Sequence, residues 1–261
     1  MSDEVSEMNF IKVVFAGVVG FLSCQAMADP AWAPDVPKAR AAFEKETGIP
    51  LRAGHHIEPT IFKGYYAVRT SKAGGASAYF REDMAWLGNI KSPGWSIQSP
   101  ADNSSGGKRA WLQQQLGQVP LDRLVLVKRS TPPVAVIWSA PDCPYCRMLE
   151  KALEQEGASV YVAPVGVSES GFGQAAKVYC SDQPAQTWKA VMQNAGATDD
   201  LPKPACDYPR DMLSDIGFFF GMGRPVTPIV IFADGFTITG WGEQGQVLLR
   251  QKIGDKIFFN D

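Results

Sequence analysis

The chain has 261 residues, 45% of them hydrophobic and 20% charged, with a net charge of −2. That composition supplies a substantial apolar core without help from cysteine cross-links, and it is far from a disordered one. The near-neutral charge leaves no basic footprint for nucleic acid, and beyond the N-terminal segment no apolar run reaches the roughly eighteen residues that suggest a membrane span.

The N-terminus reads as an export address. In MNFIKVVFAGVVGFLSCQAMADP, Lys12 supplies a positive charge and Val13 to Leu22 an apolar run too short to cross a bilayer. Ala26-Met27-Ala28 then forms a small-residue cleavage site before Asp29, so residues 1–28 are expected to be a signal peptide. The preceding MSDEVSE is acidic, which puts the expected start at Met8. Two alternatives stand beside this reading: a buried N-terminal helix, and lipid attachment at Cys24 within FLSC. Cleavage after Ala28 leaves four of the five cysteines, Cys143, Cys146, Cys180 and Cys206. An even number in an exported chain points toward disulfides.

Residues 29–100 have the texture of a small α+β module. PKARAAFEKETG predicts a helix closed by Gly48 and Pro50. KGYYAVRT and SAYFRED predict strands separated by the turn-rich KAGGA. His55 and His56 have no further ligand at metal-binding spacing and are read as strand or surface residues. SPADNSSGGK, residues 99–108, reads as a hinge, and KRAWLQQQLGQ as a helix linking two modules, so 101–120 is the expected connection.

From residue 121 the pattern becomes α/β. LDRLVLVK and PVAVIWSA read as strands, the second apolar enough for a central position. CRMLEKALEQEG is a helix, with Met148, Leu149, Ala152 and Leu153 on one face and Gly157 at its end. SVYVAPVG is the next strand. Helices follow around Gly173 to Cys180, Ala185 to Ala195 and Arg210 to Phe220. PIVIFADG and FTITGW are strands joined at Asp-Gly, and QGQVLLRQKIG closes the chain as a helix.

The chemistry lies in SAPDCPYCRMLEKALEQ. Its CxxC sits between a buried strand and a helix, with Pro144 suited to the first helical turn. There the Cys143 sulfur faces the unpaired N–H groups of the helix start, which favours the thiolate and makes it a nucleophile. Cys146, one turn further in, would resolve a mixed disulfide formed at Cys143. Zinc would need a second close ligand pair, and Cys180 and Cys206 do not form one. A cysteine protease would need a histidine in this module, and an inert bridge is disfavoured in so tight a loop. Cys180 and Cys206 flank a helix and loop and are the better candidates for a structural disulfide, the alternative being two unpaired buried thiols. Thr227-Pro228, at the entry to a later strand, suggests a cis peptide near the dithiol whose backbone could pair with an extended chain.

These motifs together resemble the periplasmic disulfide isomerases of the DsbC/DsbG family: CPYC after an apolar strand, VYCSDQPAQTWKAVM followed by PACD, and VTPIVIFADG. CPYC carries the DsbG-like dipeptide Pro144-Tyr145, while the Cys180/Cys206 pair resembles the second disulfide of DsbC-like members. The resemblance implies a thioredoxin-like catalytic domain with a helical insertion, residues 121–261, behind a cystatin-like dimerisation domain and a linker helix. It implies a V-shaped homodimer, misfolded or misoxidised exported proteins as substrates, a DsbD-type membrane reductase as partner, and no metal or organic cofactor. The alternatives are a DsbA-like dithiol oxidase and a non-enzymatic periplasmic holdase chaperone.

Overall fold

The computed structural model describes residues 33–70, 76–84, 87–89, 104–194, 203–221 and 226–259. The expected signal peptide, Cys24, the turn at 71–75 and the hinge at 99–103 lie outside these residues. Among the described residues no helix is long and apolar enough to cross a membrane.

Helix α1, Val36–Thr47, starts where the Asp35 carboxylate accepts the Lys38 N–H at 3.0 Å and ends at Gly48, whose φ of 67° suits glycine. Four antiparallel strands follow in sequence order: β1 His55–Pro59, β2 Tyr65–Thr70, β3 Ala76–Arg81 and β4 Leu87–Asn89. His56 lies in β1 and pairs with Glu58 at 2.9 Å. Phe43 of α1 packs on Phe80 of β3, ring centres 5.1 Å apart, which closes one face of this sheet.

Helix α2, Ser105–Leu116, begins inside the stretch expected to be hinge. Ser104 explains the early start: its hydroxyl accepts the Gly107 N–H at 3.1 Å, and this cap offsets the weak helix propensity of Gly106 and Gly107. Leu121–Arg123 is a 3-10 turn rather than strand, so β5 is confined to Val125–Val127.

The remaining chain builds a second sheet in the order β5-β7-β6-β8-β9. Strand β6, Pro133–Ser139, is buried throughout and leads into α3, Pro144–Gln155, which crosses over to the parallel strand β7, Ser159–Pro164. Ile137 lies opposite Val162 on one side and Val230 on the other. Helices α4 (Glu169–Tyr179), α5 (Pro184–Gln193) and α6 (Arg210–Phe220) intervene before β8, Ile229–Phe232. The antiparallel β9, Thr237–Thr239, and α7, Glu243–Gly254, complete a βαβ unit followed by ββα. This is the thioredoxin fold with a helical insertion. Two of the inserted helices start earlier than their periodicity suggested: Ser168 caps α4, and Pro184 occupies the first turn of α5.

Helix α6 is shared by both sheets. On one side Gly217 lies against Trp138 of β6, where a Cβ would come within 2.2 Å of the indole, and Trp138 Nε1 donates to the Leu213 carbonyl at 2.8 Å. On the other, Phe62 packs on Phe219 at 4.1 Å and Tyr79 stacks on Phe218 at 4.0 Å. Such pairs add about 0.5–1.5 kcal/mol each beyond the area they bury.

Candidate active site

Strand β6 delivers the chain to Ala140-Pro141-Asp142, and Cys143 takes the N-cap position of α3 in an extended conformation, φ −108°. Pro144 follows in the first turn, and no side chain caps this helix. The Cys143 thiol donates to the Thr227 carbonyl at 3.6 Å. Cys146 sits one turn deeper and is fully buried, against 6% exposure for Cys143. Its sulfur accepts the Ala140 N–H at 3.4 Å. Burial pushes the Cys146 thiol well up, while the Ser139 hydroxyl and the Ala140 N–H act in the opposite direction. Both cysteines are free thiols.

The Thr227-Pro228 peptide is cis and stands just before β8. It therefore meets the CPYC turn across the β6–β8 pairing, which explains how residues 84 positions apart come into contact. Tyr145 points outward, 57% exposed, as does Met148 at 53%. With Val167 and Val226 they make four of the six large hydrophobic residues exposed among the described residues, all on or beside this turn or its cavity.

That cavity, about 430 Å³, opens beside Cys143 and Thr227. Trp138 and Phe218 line it from β6 and α6, and Val167 and Phe172 from the β7–α4 connection and α4. Ala76 and Tyr79 of β3 also line it, so the first sheet reaches the dithiol.

Cys180 and Cys206 are joined by a disulfide, Cα atoms 5.4 Å apart, at the end of α4 and well into the solvent-facing side of the insertion. Three further residues shape the site without having been read from the sequence. Asp142, next to Cys143, uses its carboxylate to accept the N–H groups of Val167 (3.0 Å) and Ser168 (2.9 Å) and the Ser168 hydroxyl (2.7 Å), which ties the CPYC turn to the start of α4. Arg69 of β2 and Asp215 of α6 form a buried two-contact ion pair at 2.9 and 3.0 Å, and the Tyr79 hydroxyl donates to Asp215 at 2.8 Å. Asp142 was findable from its place beside the motif. Arg69 and Asp215 carried no such signal, being 146 residues apart.

No family model matches the chain. Over 141 residues it is 27% identical to proteins named probable thiol:disulfide interchange protein DsbC from Bordetella pertussis, Bordetella parapertussis and Bordetella bronchiseptica. That match takes in 49% of this chain and 47% of theirs, so the chain spans about half the length of the curated relatives it matches. Among solved structures, a disulfide interchange protein from Neisseria gonorrhoeae aligns with a TM-score of 0.45 and 23% identity over 51% of this chain and 96% of that one. The thiol-disulfide exchange protein alpha-DsbA2 from Wolbachia pipientis aligns at 0.42 and 12%, over 59% of this chain and all of that one. The fold assignment rests on the strand order and not on these two likenesses. The chain thus resembles DsbC proteins in sequence over about half its length, and its βαβ–ββα sheet with CPYC at the helix start is a thioredoxin fold.

Proposed function

We propose that the protein is an exported thiol:disulfide oxidoreductase that isomerises or reduces wrong disulfides in client proteins. One observation carries this reading: two free thiols in unequal positions, Cys143 at an uncapped helix start on the cavity and Cys146 buried behind it. The name borne by the Bordetella relatives supports the same chemistry.

The Cys143 thiolate attacks one sulfur of a client disulfide. A bond forms between the two sulfurs, and the second client sulfur leaves as a thiolate. From this mixed disulfide two routes lead on. Another client thiolate attacks the client sulfur and frees Cys143, so disulfides are exchanged with no net transfer of electrons. Alternatively Cys146 loses its proton and attacks the Cys143 sulfur, which releases the client reduced by two electrons and leaves Cys143 and Cys146 bonded. The second route needs an external dithiol, and a DsbD-type membrane reductase is the partner we propose for it. Thr227 would pair its backbone with the client segment. The exposed Tyr145, Met148, Val167 and Val226 suit clients that display apolar residues, as misfolded proteins do. The first sheet is the proposed dimerisation module, Cys180–Cys206 the proposed structural bridge, and the periplasm the proposed compartment.

The test is recovery of activity by a scrambled multi-disulfide protein in a glutathione buffer. The parent protein should restore it and Cys143→Ala should not; equal recovery overturns the reading. Cys146→Ala separates the routes, since it should keep exchange and lose net reduction. The equilibrium of the parent dithiol with glutathione then fixes the direction, because a strongly oxidising pair would mark an oxidase.

A further inference from the structure

We infer that the Ser139 hydroxyl, at the end of β6, is the donor that holds Cys146 as a thiolate during its attack, and so sets how fast a bound client is released in reduced form. The inference rests on the exchange chemistry proposed above and deepens it, because it names what favours one of the two routes out of the mixed disulfide.

The release step requires a fully buried sulfur to carry a charge. Cys146 has no exposed surface, so water cannot solvate the thiolate that must form. Two protein groups stand where that charge would develop. The Ala140 N–H donates to the sulfur at 3.4 Å. Ser139, one residue earlier, is itself fully buried. Trp138 turns its indole toward Gly217 of α6, and strand alternation therefore sends the Ser139 side chain to the opposite face. The Ser139 backbone is fixed by β7: it pairs with Pro164, and its carbonyl accepts the Val165 N–H at 2.9 Å.

In the dithiol form the Ser139 Oγ makes no hydrogen bond of ordinary geometry among the described residues. A buried hydroxyl left in that state is costly to the fold. It lies close enough to Cys146 to favour the ionised sulfur against the burial that opposes it. A thiolate is a stronger acceptor than a thiol, so the bond tightens as the proton leaves. An interaction that is weak at rest and strong during the step is the kind that accelerates it. Two neighbours point the same way. Cys143 opposes ionisation of Cys146 while its own sulfur is free, and that opposition ends once Cys143 is bonded to a client. Glu150, buried one turn further along α3, accepts from Arg129 and from Trp188 Nε1 at 3.1 Å, and a carboxylate has no proton to donate to a thiolate.

In the step itself Cys146 gives its proton to a solvent base and its thiolate attacks the Cys143 sulfur. The Cys143–Cys146 bond forms as the Cys143–client bond breaks. The client sulfur leaves with the electron pair and takes up a proton from solvent, so the client is reduced and the protein dithiol oxidised. Exchange through a second client thiol does not use Cys146. Ser139 therefore sets how long a client stays bound and open to that exchange.

The experiment uses the full-length protein and glutathione disulfide as the probe. Reduced protein is mixed with it and quenched in acid at intervals, and intact mass follows the glutathione adduct of Cys143 as it forms and decays. Hydrogen bonds to charged groups are the stronger class, so Ser139→Ala should slow adduct decay about tenfold or more while formation changes less than about threefold. The same variant should unfold at no lower urea concentration than the parent, because it removes a buried hydroxyl that lacks an ordinary bond. Ser139→Thr keeps the hydroxyl and should restore decay to within about threefold of the parent. Decay at the parental rate in Ser139→Ala, equal slowing of both steps, a marked loss of its stability, or slow decay persisting in folded Ser139→Thr overturns the assignment. If the parent itself forms no adduct, the exchange reading fails, and this inference fails with it.

Discussion

The CPYC turn and the helical insertion treat their polar and sulfur atoms in opposite ways. The insertion ties down its sulfurs and several of its charged and phenolic groups: Cys180 to Cys206, Asp215 to Arg69 and Tyr79, Arg210 to Glu169 at 2.7 and 3.0 Å, and Tyr208 to the Pro164 carbonyl at 2.7 Å. At the turn, the Cys143 thiol has a long contact to the Thr227 carbonyl and its helix has no capping side chain. A group meant to react must keep an accessible lone pair, and its position must come from neighbours held by their own contacts. Asp142 joins the two regions, because it anchors the reactive turn to the first turn of α4.

The contrast can be broken most sharply at the sulfurs. Cys143→Ala should reduce exchange to the uncatalysed background, whereas the double variant Cys180→Ser/Cys206→Ser should keep thiol reactivity when assayed below its melting temperature. A bridge variant as inactive as Cys143→Ala would erase the distinction. Next in size is Arg69→Met, which strands the buried Asp215 carboxylate and should cost about 3–5 kcal/mol in urea unfolding. Loss of the bridge follows. Its 26-residue separation implies about 3–4 kcal/mol in the chain-entropy description, against about 1 kcal/mol for Cys143→Ala.

The smallest effect is a pH dependence. Burial pushes the Asp215 carboxyl up to about 6, with Arg69 and the Tyr79 hydroxyl pulling it back. The folded state therefore holds this proton more tightly than the unfolded chain. The resulting stability is fully present below the ordinary value of 3.8 and is lost as pH rises through about 6. The difference in unfolding free energy between the parent and Asp215→Asn should fall across that window. A difference that stays level or rises would show that the insertion is not built around a buried acid.

Local chemistry made the reactive end legible in the sequence. An unbroken apolar strand, Pro144 after Cys143 and a helical face at Leu149, Ala152 and Leu153 are decided within a few residues of one another, and they fixed the β6–α3 unit, although Met148, expected on that face, faces solvent. Element starts were less legible where one hydroxyl decides them, as at Ser104 and Ser168, because capping competes with propensity over a single turn. What could not be read was the meeting of β2 and β3 with α6. Arg69, Tyr79 and Asp215 look like ordinary residues of separate segments, and only chain topology brings them together. The first sheet was read as a separate module for the same reason, and its part in the cavity through Ala76 and Tyr79 went unseen.

The position of α6 between Trp138 and the aromatic face of the first sheet bears on how the molecule comes apart. A helix that completes two cores cannot leave one without exposing the other, so the boundary suggested by the linker composition is not a boundary of cooperativity. Removing the first sheet would bare Phe218 and Phe219 to water, and melting α6 would release that sheet. The two sheets should share one unfolding transition, and native-state hydrogen exchange should find their slowest amides opening together.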